Sequence, residues 1–269
     1  MTALTLTLKQ ALPGRLDLSP LSPTLARDGL GGLAALQVHM GTRQHALGEL
    51  FAIKGDDASN VVLAGDLSRV DQIGAGLAAG SLRVEGHAGA YLGLAMTGGR
   101  MTVTGNVAEF AAVGMRKGSI EILGNAGDYL GGALPGALQG MAGGQVVVHG
   151  DVGARCGDRM RRGAILVAGS IGDYAGSRML AGTLLALQGC GAHAGYGMRR
   201  GTLLVRGTIP IDATFADCGR HVLPIVHLLF RSWQPLGGAF AGLADQVRPV
   251  QRFMGDRGAD GKGEILHFE

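Results

Sequence analysis

Three stretches decide how this chain folds: GSLRVEG at 80–86, GRMTVTG at 99–105 and GSIEILG at 118–124. In each, a glycine opens the stretch, apolar residues stand two and four places on, and a glycine closes it. Leu82/Val84, Met101/Val103 and Ile120/Ile122 alternate with their neighbours, the period-two pattern of a strand with one buried face. The pattern resumes as Val146/Val148, Ile165/Val167, Leu184/Ala186 and Leu203/Val205. The opening glycines Gly80, Gly99, Gly118, Gly144, Gly163, Gly182 and Gly201 follow at steps of 19, 19, 26, 19, 19 and 19. The long step holds seven extra residues near ALPGALQ at 133–139.

Further columns keep the same period. Gly86, Gly105, Gly124, Gly150, Gly169 and Gly207 close the strands, with Gln188 the exception, and read as tight corners with free φ. Met96, Met115, Met141, Met160, Met179 and Met198 stand three places before the opening glycines and read as adaptable core filler. Glycine makes up 49 of 269 residues, against an average share of about 7 %. Falling in register, those glycines mark a repeat architecture rather than disorder. A short strand, a corner and a return to the same place every 19 residues describe parallel strands stacked about 4.8 Å apart. The sequence therefore predicts an all-β fold: a right-handed parallel β-helix of about seven or eight turns. A left-handed coil usually carries a hexapeptide beat, absent here. The domain plan is a capping segment over 1–60, the coil over 61–207, and a capping or docking tail over 208–269.

Composition narrows function. A net charge of +3 and a pI near 8.9 are too mild to argue for nucleic acid. The most apolar run, VLPIVHLLF at 222–230, is too short to span a bilayer. MTALTLTLKQ has no secretory pattern, and three widely spaced cysteines give neither a disulfide framework nor a metal knuckle. The expectation is a cytoplasmic protein without nucleic-acid or membrane partners.

GMRKG at 114–118, RMRRG at 159–163 and GMRRG at 197–201 place Arg116/Lys117, Arg161/Arg162 and Arg199/Arg200 at one corner. The alternate repeats carry Ala142/Gly143 and Leu180/Ala181 there, so successive basic pairs lie about 10 Å apart, which keeps like charges from facing at strand spacing. Eleven places after the opening glycines stand Tyr91, Phe110, Tyr129, Arg155, Tyr174 and His193. They read as a stabilising ladder, with a ligand surface as the alternative. Cys156 and Cys190 share columns with small apolar residues and read as buried; Cys218 is unassigned. Asp128 and Asp173, in GDY, read as turn residues. No HxxxH or HxH pair and no Ser/His/Asp set is visible, so no catalytic or metal residue is assigned. A β-helix enzyme acting on polysaccharide would need several carboxylates or a metal on one face, and the columns show no such cluster.

The outward column changes character along the chain. Arg83, Thr102 and Glu121 are followed by Val147, Leu166, Leu185 and Leu204, an apolar stripe that needs a cover. The tail, with a short helix within HVLPIVHLLFRSW at 221–233, and another subunit are both expected to contribute. Near the start, MTALTLTL reads as a strand, and SPTLARDGLGGLAAL as a helix capped by Ser22 or Thr24 that stops near Gly31 or Gly32. Residues 208–269 show no repeat.

The G-x-[IL]-x-V-x-G strands and the GAYLG, GDYLG and GDYAG turns resemble the GXGXG β-helix domain shared by glutamate synthase and the C subunit of formylmethanofuran dehydrogenase. LGELFAIKGDDASNVVLAGDLSRVDQIGAGLAAG resembles that C subunit specifically, and the Arg-rich, Lys-poor composition points to the version in bacterial formyltransferase/hydrolase complexes of methylotrophs. The alternatives are the C subunit of a molybdenum or tungsten formylmethanofuran dehydrogenase, or a free-standing GXGXG protein. The resemblance implies a non-catalytic subunit of one-carbon metabolism. Its complex would move formyl from tetrahydromethanopterin to a methanofuran-like carrier and release formate. It implies amidohydrolase-like, formyltransferase and molybdopterin-enzyme-like partner chains, zinc on another subunit, and no cofactor in this chain. Carriers of this type bear glutamyl residues and are polyanionic. Arg116, Lys117, Arg161, Arg162, Arg199 and Arg200 are therefore candidates for guiding the carrier, and Val147, Leu166, Leu185 and Leu204 for subunit docking.

Overall fold

The computed structural model describes residues 2–245 and 249–269. The regular structure is mainly strand, with few helices. A thirteen-stranded sheet, parallel over most of its width, runs from the antiparallel Ala216–His221 and Val250–Gly255 at one end to Ala3–Leu8 and Phe51–Lys54 at the other. Between them the repeat strands lie in chain order: Asp57–Ala64, Ser81–Glu85, Arg100–Val103, Ser119–Ile122, Ala142–Val148, Arg162–Val167, Thr183–Ala186 and Thr202–Arg206.

Their register is the register of the sequence columns. Ile120 lies opposite Met101 on one side and Val146 on the other, and Leu184 opposite Ile165 and Leu203. The 26-residue step thus leaves the pairing intact, and the seven extra residues are looped out. A second file of parallel bridges links Leu67, Ala88, Val107, Ala126, Val152, Ile171 and Cys190. A third runs through the methionine corner, where Arg161 donates its backbone N–H to Met141 and Leu180 to Met160.

The alternating residues and methionines fill one continuous core. Each such side chain contributes about 1.5–3 kcal/mol on burial. A second cluster lies on the outer face. There Val147, Leu166, Leu185 and Leu204 are buried beneath Val226, Phe230 and Trp233 of the helix Pro224–Trp233, with Phe240, Leu243, Val250 and Phe268. The apolar stripe is covered by the chain's own tail.

Two expectations are corrected. The first helix spans Leu21–Asp28, starts after Pro20 with no side-chain cap, and ends at Gly29. Ser22 and Thr24 lie inside it. Pro20 pre-sets its own φ, and its carbonyl takes the Thr24 N–H, so burial of Leu21 and Leu25 fixes the start instead of a cap. The tail also is not free of the repeat. GKGEILHF at 261–268 returns after a long excursion, and Gly263–Phe268 pairs in parallel with Thr202–Arg206, Ile265 opposite Leu203. Asp256 fastens this return: buried, it accepts the Gly197 and Gly258 N–H groups.

Candidate functional site

The basic corner is continuous. Backbone bonds link its repeats in sequence, Ala142 N–H to Met115, Arg161 N–H to Met141, Leu180 N–H to Met160 and Arg199 N–H to Met179. Arg116, Arg161 and Arg199 therefore stand in one file with Ala142 and Leu180 between them. Lys262 extends the corner by donating its N–H to the Arg199 carbonyl. Arg116, Lys117, Arg161, Arg162, Arg199 and Arg200 are all exposed. None of the six forms an ion pair among the described residues; Arg161 donates to the Gln139 side chain at 3.2 Å.

Two further arginines join them. Arg159, Arg178 and Arg199 line a groove of about 420 Å³ with Leu138, Leu180, Gly197 and Ala259. Asp158, only 2 % exposed, holds the Arg178 guanidinium through Nε at 2.9 Å and Nη2 at 2.8 Å, and accepts the Ser177 hydroxyl at 2.6 Å. Arg159 donates to the Ala137 carbonyl at 3.0 Å. Neither Arg159 nor Arg178 was singled out from the sequence. The available signal was charge in a column otherwise held by Ala95, Gly114, Gly140 and Gly197.

The column of Tyr91, Phe110, Tyr129, Arg155, Tyr174 and His193 is a stack. Ring centroids lie 5.3 Å apart for Tyr91–Phe110, 4.8 Å for Phe110–Tyr129 and 5.0 Å for Tyr174–His193. The Arg155 guanidinium bridges the gap, 4.5 Å from the Tyr174 ring and 5.9 Å from Tyr129. All six residues have φ near +60°. A parallel polar file was not read from the sequence. His87 accepts from Asn106 N–H, Asn106 from Asn125, Asn125 from Asp151 and Asp151 from Ser170. Asp128 and Asp173 act likewise, each accepting the N–H of an alanine on the next repeat, Ala154 and Ala192. They tie repeats together rather than closing their own turns.

Burial pushes the Cys190 thiol up to about 12 and raises Cys156 as well, so neither offers a thiolate near neutral pH. No group of three or more His, Cys, Asp or Glu side chains among the described residues is placed to share a metal ion. No helix among the described residues is long and apolar enough to cross a membrane.

These features define a class: a repeat-built all-β protein with a filled interior, a basic corner and a self-covered flank, suited to holding other molecules on its surface. No family model matches the chain. It is 43 % identical over 264 residues to the C subunit of the formyltransferase/hydrolase complex Fhc of Methylorubrum extorquens, covering 97 % of this chain and 98 % of that protein. It also matches a chain of the crystal structure of the formyltransferase/hydrolase complex FhcABCD from Methylorubrum extorquens, in complex with methylofuran. That match has a TM-score of 0.91 and 41 % identity, over 98 % of this chain and 99 % of that one. The chain belongs to the family formed by the C subunit of formyltransferase/hydrolase complexes.

Proposed function

We propose that this chain is a structural, non-catalytic subunit of a cytoplasmic formyltransferase/hydrolase complex. In this reading its repeats wind as a right-handed parallel β-helix of 19-residue rungs over 61–207. Residues 1–60 cap one end, and 208–269 cap the other and dock. The complex passes a formyl group to a methanofuran-like carrier and releases formate. Its amidohydrolase-like, zinc-bearing chain, its formyltransferase and its molybdopterin-enzyme-like chain supply the chemistry. The observation that carries the proposal is the full-length identity to the C subunit of the Fhc complex. The core columns that stay in register from Val61 to Val205, past an irregularity between Ala142 and Gln145, support a stiff platform.

Docking works through the tail. Val147, Leu166, Leu185 and Leu204 seat the helix Pro224–Trp233, and that segment presents Val222, Ile225 and Leu228, each more than half exposed, to a partner subunit. The six exposed bases steer the polyanionic carrier over the surface. Native purification through this chain, with mass spectrometry of its companions and metal assay, tests the reading. Formyltransferase and amidohydrolase-like partners with zinc support it, and a chain that purifies alone overturns it. For the carrier role, Gln at Arg161, Arg162, Arg199 and Arg200 raises the carrier KM of the intact complex; an unchanged KM removes that role.

A further inference from the structure

The file of buried methionines ends in a void near the first helix. Backbone bonds carry the file one repeat further than the methionines do: Thr97 donates its N–H to the Leu77 carbonyl as Arg116 does to that of Met96. Leu77 therefore stands where a seventh methionine would. Met96, Met115, Met141, Met160, Met179 and Met198 are all 0 % exposed, but Leu77 is only half-buried. Beside it lies a cavity of about 260 Å³, between the helix Leu21–Asp28 and the strands Asp57–Ala64 and Ser81–Glu85. Leu25, Val61 and Leu82 are its buried walls, while Ala26, Ala79 and Gly80 leave its mouth open to solvent.

Ser22 supplies a second observation. It lines the same cavity, is only 5 % exposed, and its Oγ has no hydrogen-bond partner among the described residues. It does not cap its own helix, which starts after Pro20 with no side-chain cap. A buried hydroxyl without a partner is unfavourable, and such groups in native structures point to something that meets them. No charged side chain is among the residues that line the cavity. A charged ligand would lose its hydration there and gain no counter-charge.

We infer that this cavity is a binding site for a small, uncharged, unbranched aliphatic molecule that carries one oxygen at its end. Its chain extends the apolar file past Leu77, against Val61 and Leu82, and its oxygen accepts a hydrogen bond from the Ser22 hydroxyl. The rungs of the same file hold unbranched methionine side chains, so a chain of that shape follows its course. A dry cavity of about 150 Å³ holds benzene, so this one admits about six to ten non-hydrogen atoms. The site is separate from the basic corner and does not depend on the carrier role.

The test titrates the full-length chain, alone and within its complex, with hexan-1-ol, and reads binding by isothermal calorimetry. Ser22→Ala removes the hydroxyl. Ala26→Met closes the mouth from an exposed helical position, where folding is not at risk. Wild type is expected to bind one hexan-1-ol per chain, and to bind hexanoate at neutral pH at least about tenfold more weakly. Ser22→Ala is expected to bind the alcohol about fivefold more weakly, since one ordinary hydrogen bond is lost. Without the alcohol it is expected to melt no lower than wild type, because the hydroxyl it removes has no partner. Ala26→Met is expected to lose most of the binding. Equal affinity of wild type and Ser22→Ala overturns the inference, since the hydroxyl then meets only water. Undiminished binding by Ala26→Met also overturns it, because the alcohol then sits elsewhere. A lowered melting point of Ser22→Ala without ligand makes the hydroxyl part of the fold and overturns it too. Binding by the chain alone but not by the complex means that a partner subunit's side chain fills the cavity, and the small-molecule site fails.

Discussion

Gly124 shows how a repeated glycine is required where the backbone is ordinary. Its φ is not positive. A Cβ there would lie 2.4 Å from the Asn106 side-chain oxygen and 2.7 Å from the backbone of Gly105. Gly105, Gly150 and Gly169 are crowded in the same way by the repeat before them. The column was legible in the sequence; at Gly105, Gly124, Gly150 and Gly169 its cause is close approach between neighbouring repeats, while Gly86 and Gly207 have the positive φ expected of a corner. Gly124→Ala is therefore expected to destabilise the chain by about 1–3 kcal/mol, the usual range for overpacking, measured by urea unfolding. Arg155 gives the complementary case. Its side chain bridges two rings while its φ of +59° disfavours any L residue. Arg155→Ala loses the stacking and keeps the strain, and is expected to cost about 1 kcal/mol. Arg155→Gly loses the stacking but relieves the strain, and is expected to be closer to neutral. Equal losses in the two variants would show that the backbone strain plays no part.

Strands, corners and files were read best where one residue type recurs at one place. The strand registers of 80–207 follow from the glycine steps alone, because a 19-residue period admits one in-register pairing. The Asn106–Asn125–Asp151–Ser170 file escaped notice because its members differ in type and share only a side-chain acceptor placed to reach the next repeat. The strand Gly263–Phe268 escaped because a long excursion hides its period. The groove was missed because its pieces are one column of arginines and an insertion that breaks the period. The polar file makes a test of its own. The Ser170 amide and hydroxyl hold the Asp151 carboxyl below the usual carboxylate range. For Asp256 burial opposes ionisation, and the Gly197 amide, the Thr214 hydroxyl and the Gly258 amide outweigh it, so its pKa is lowered too. Each folded pKa lies below the unfolded value of about 3.9. Their stabilisation is then fully present above about pH 4 and is lost as pH falls through the folded values. The thermal midpoint is expected to drop on acidification from pH 5 toward pH 2, and less steeply in Asp151→Asn, which keeps an acceptor oxygen but does not titrate. Identical pH profiles would assign the acid sensitivity to other carboxylates.

For the molecule as a whole, the tail converts an apolar flank that must be covered into one that is available. Val147, Leu166, Leu185 and Leu204 are at most 5 % exposed once the tail is seated, so they do not themselves meet another chain. The sequence showed the need for a cover, but the share between tail and partner was not legible, because it depends on how Val226, Phe230 and Trp233 turn inward as a set. With those three inside, Ile225 and Leu228 are left facing out on the same helix. The two layers predict opposite outcomes for the same chemical change. Leu185→Asp puts an unpaired charge into the second core and is expected to destabilise the chain by several kcal/mol, releasing the tail to protease. Ile225→Asp with Leu228→Asp alters surface already in water, so the isolated chain is expected to melt within about 0.5 kcal/mol of the original. In the complex, however, that pair of carboxylates would have to be desolvated against a partner. Co-purification of the other subunits is then expected to fall sharply while the chain's own melting curve stays in place. Retention of every partner by the double variant would move the docking surface away from the tail helix, and a lowered melting point would mean that its outer side belongs to the fold.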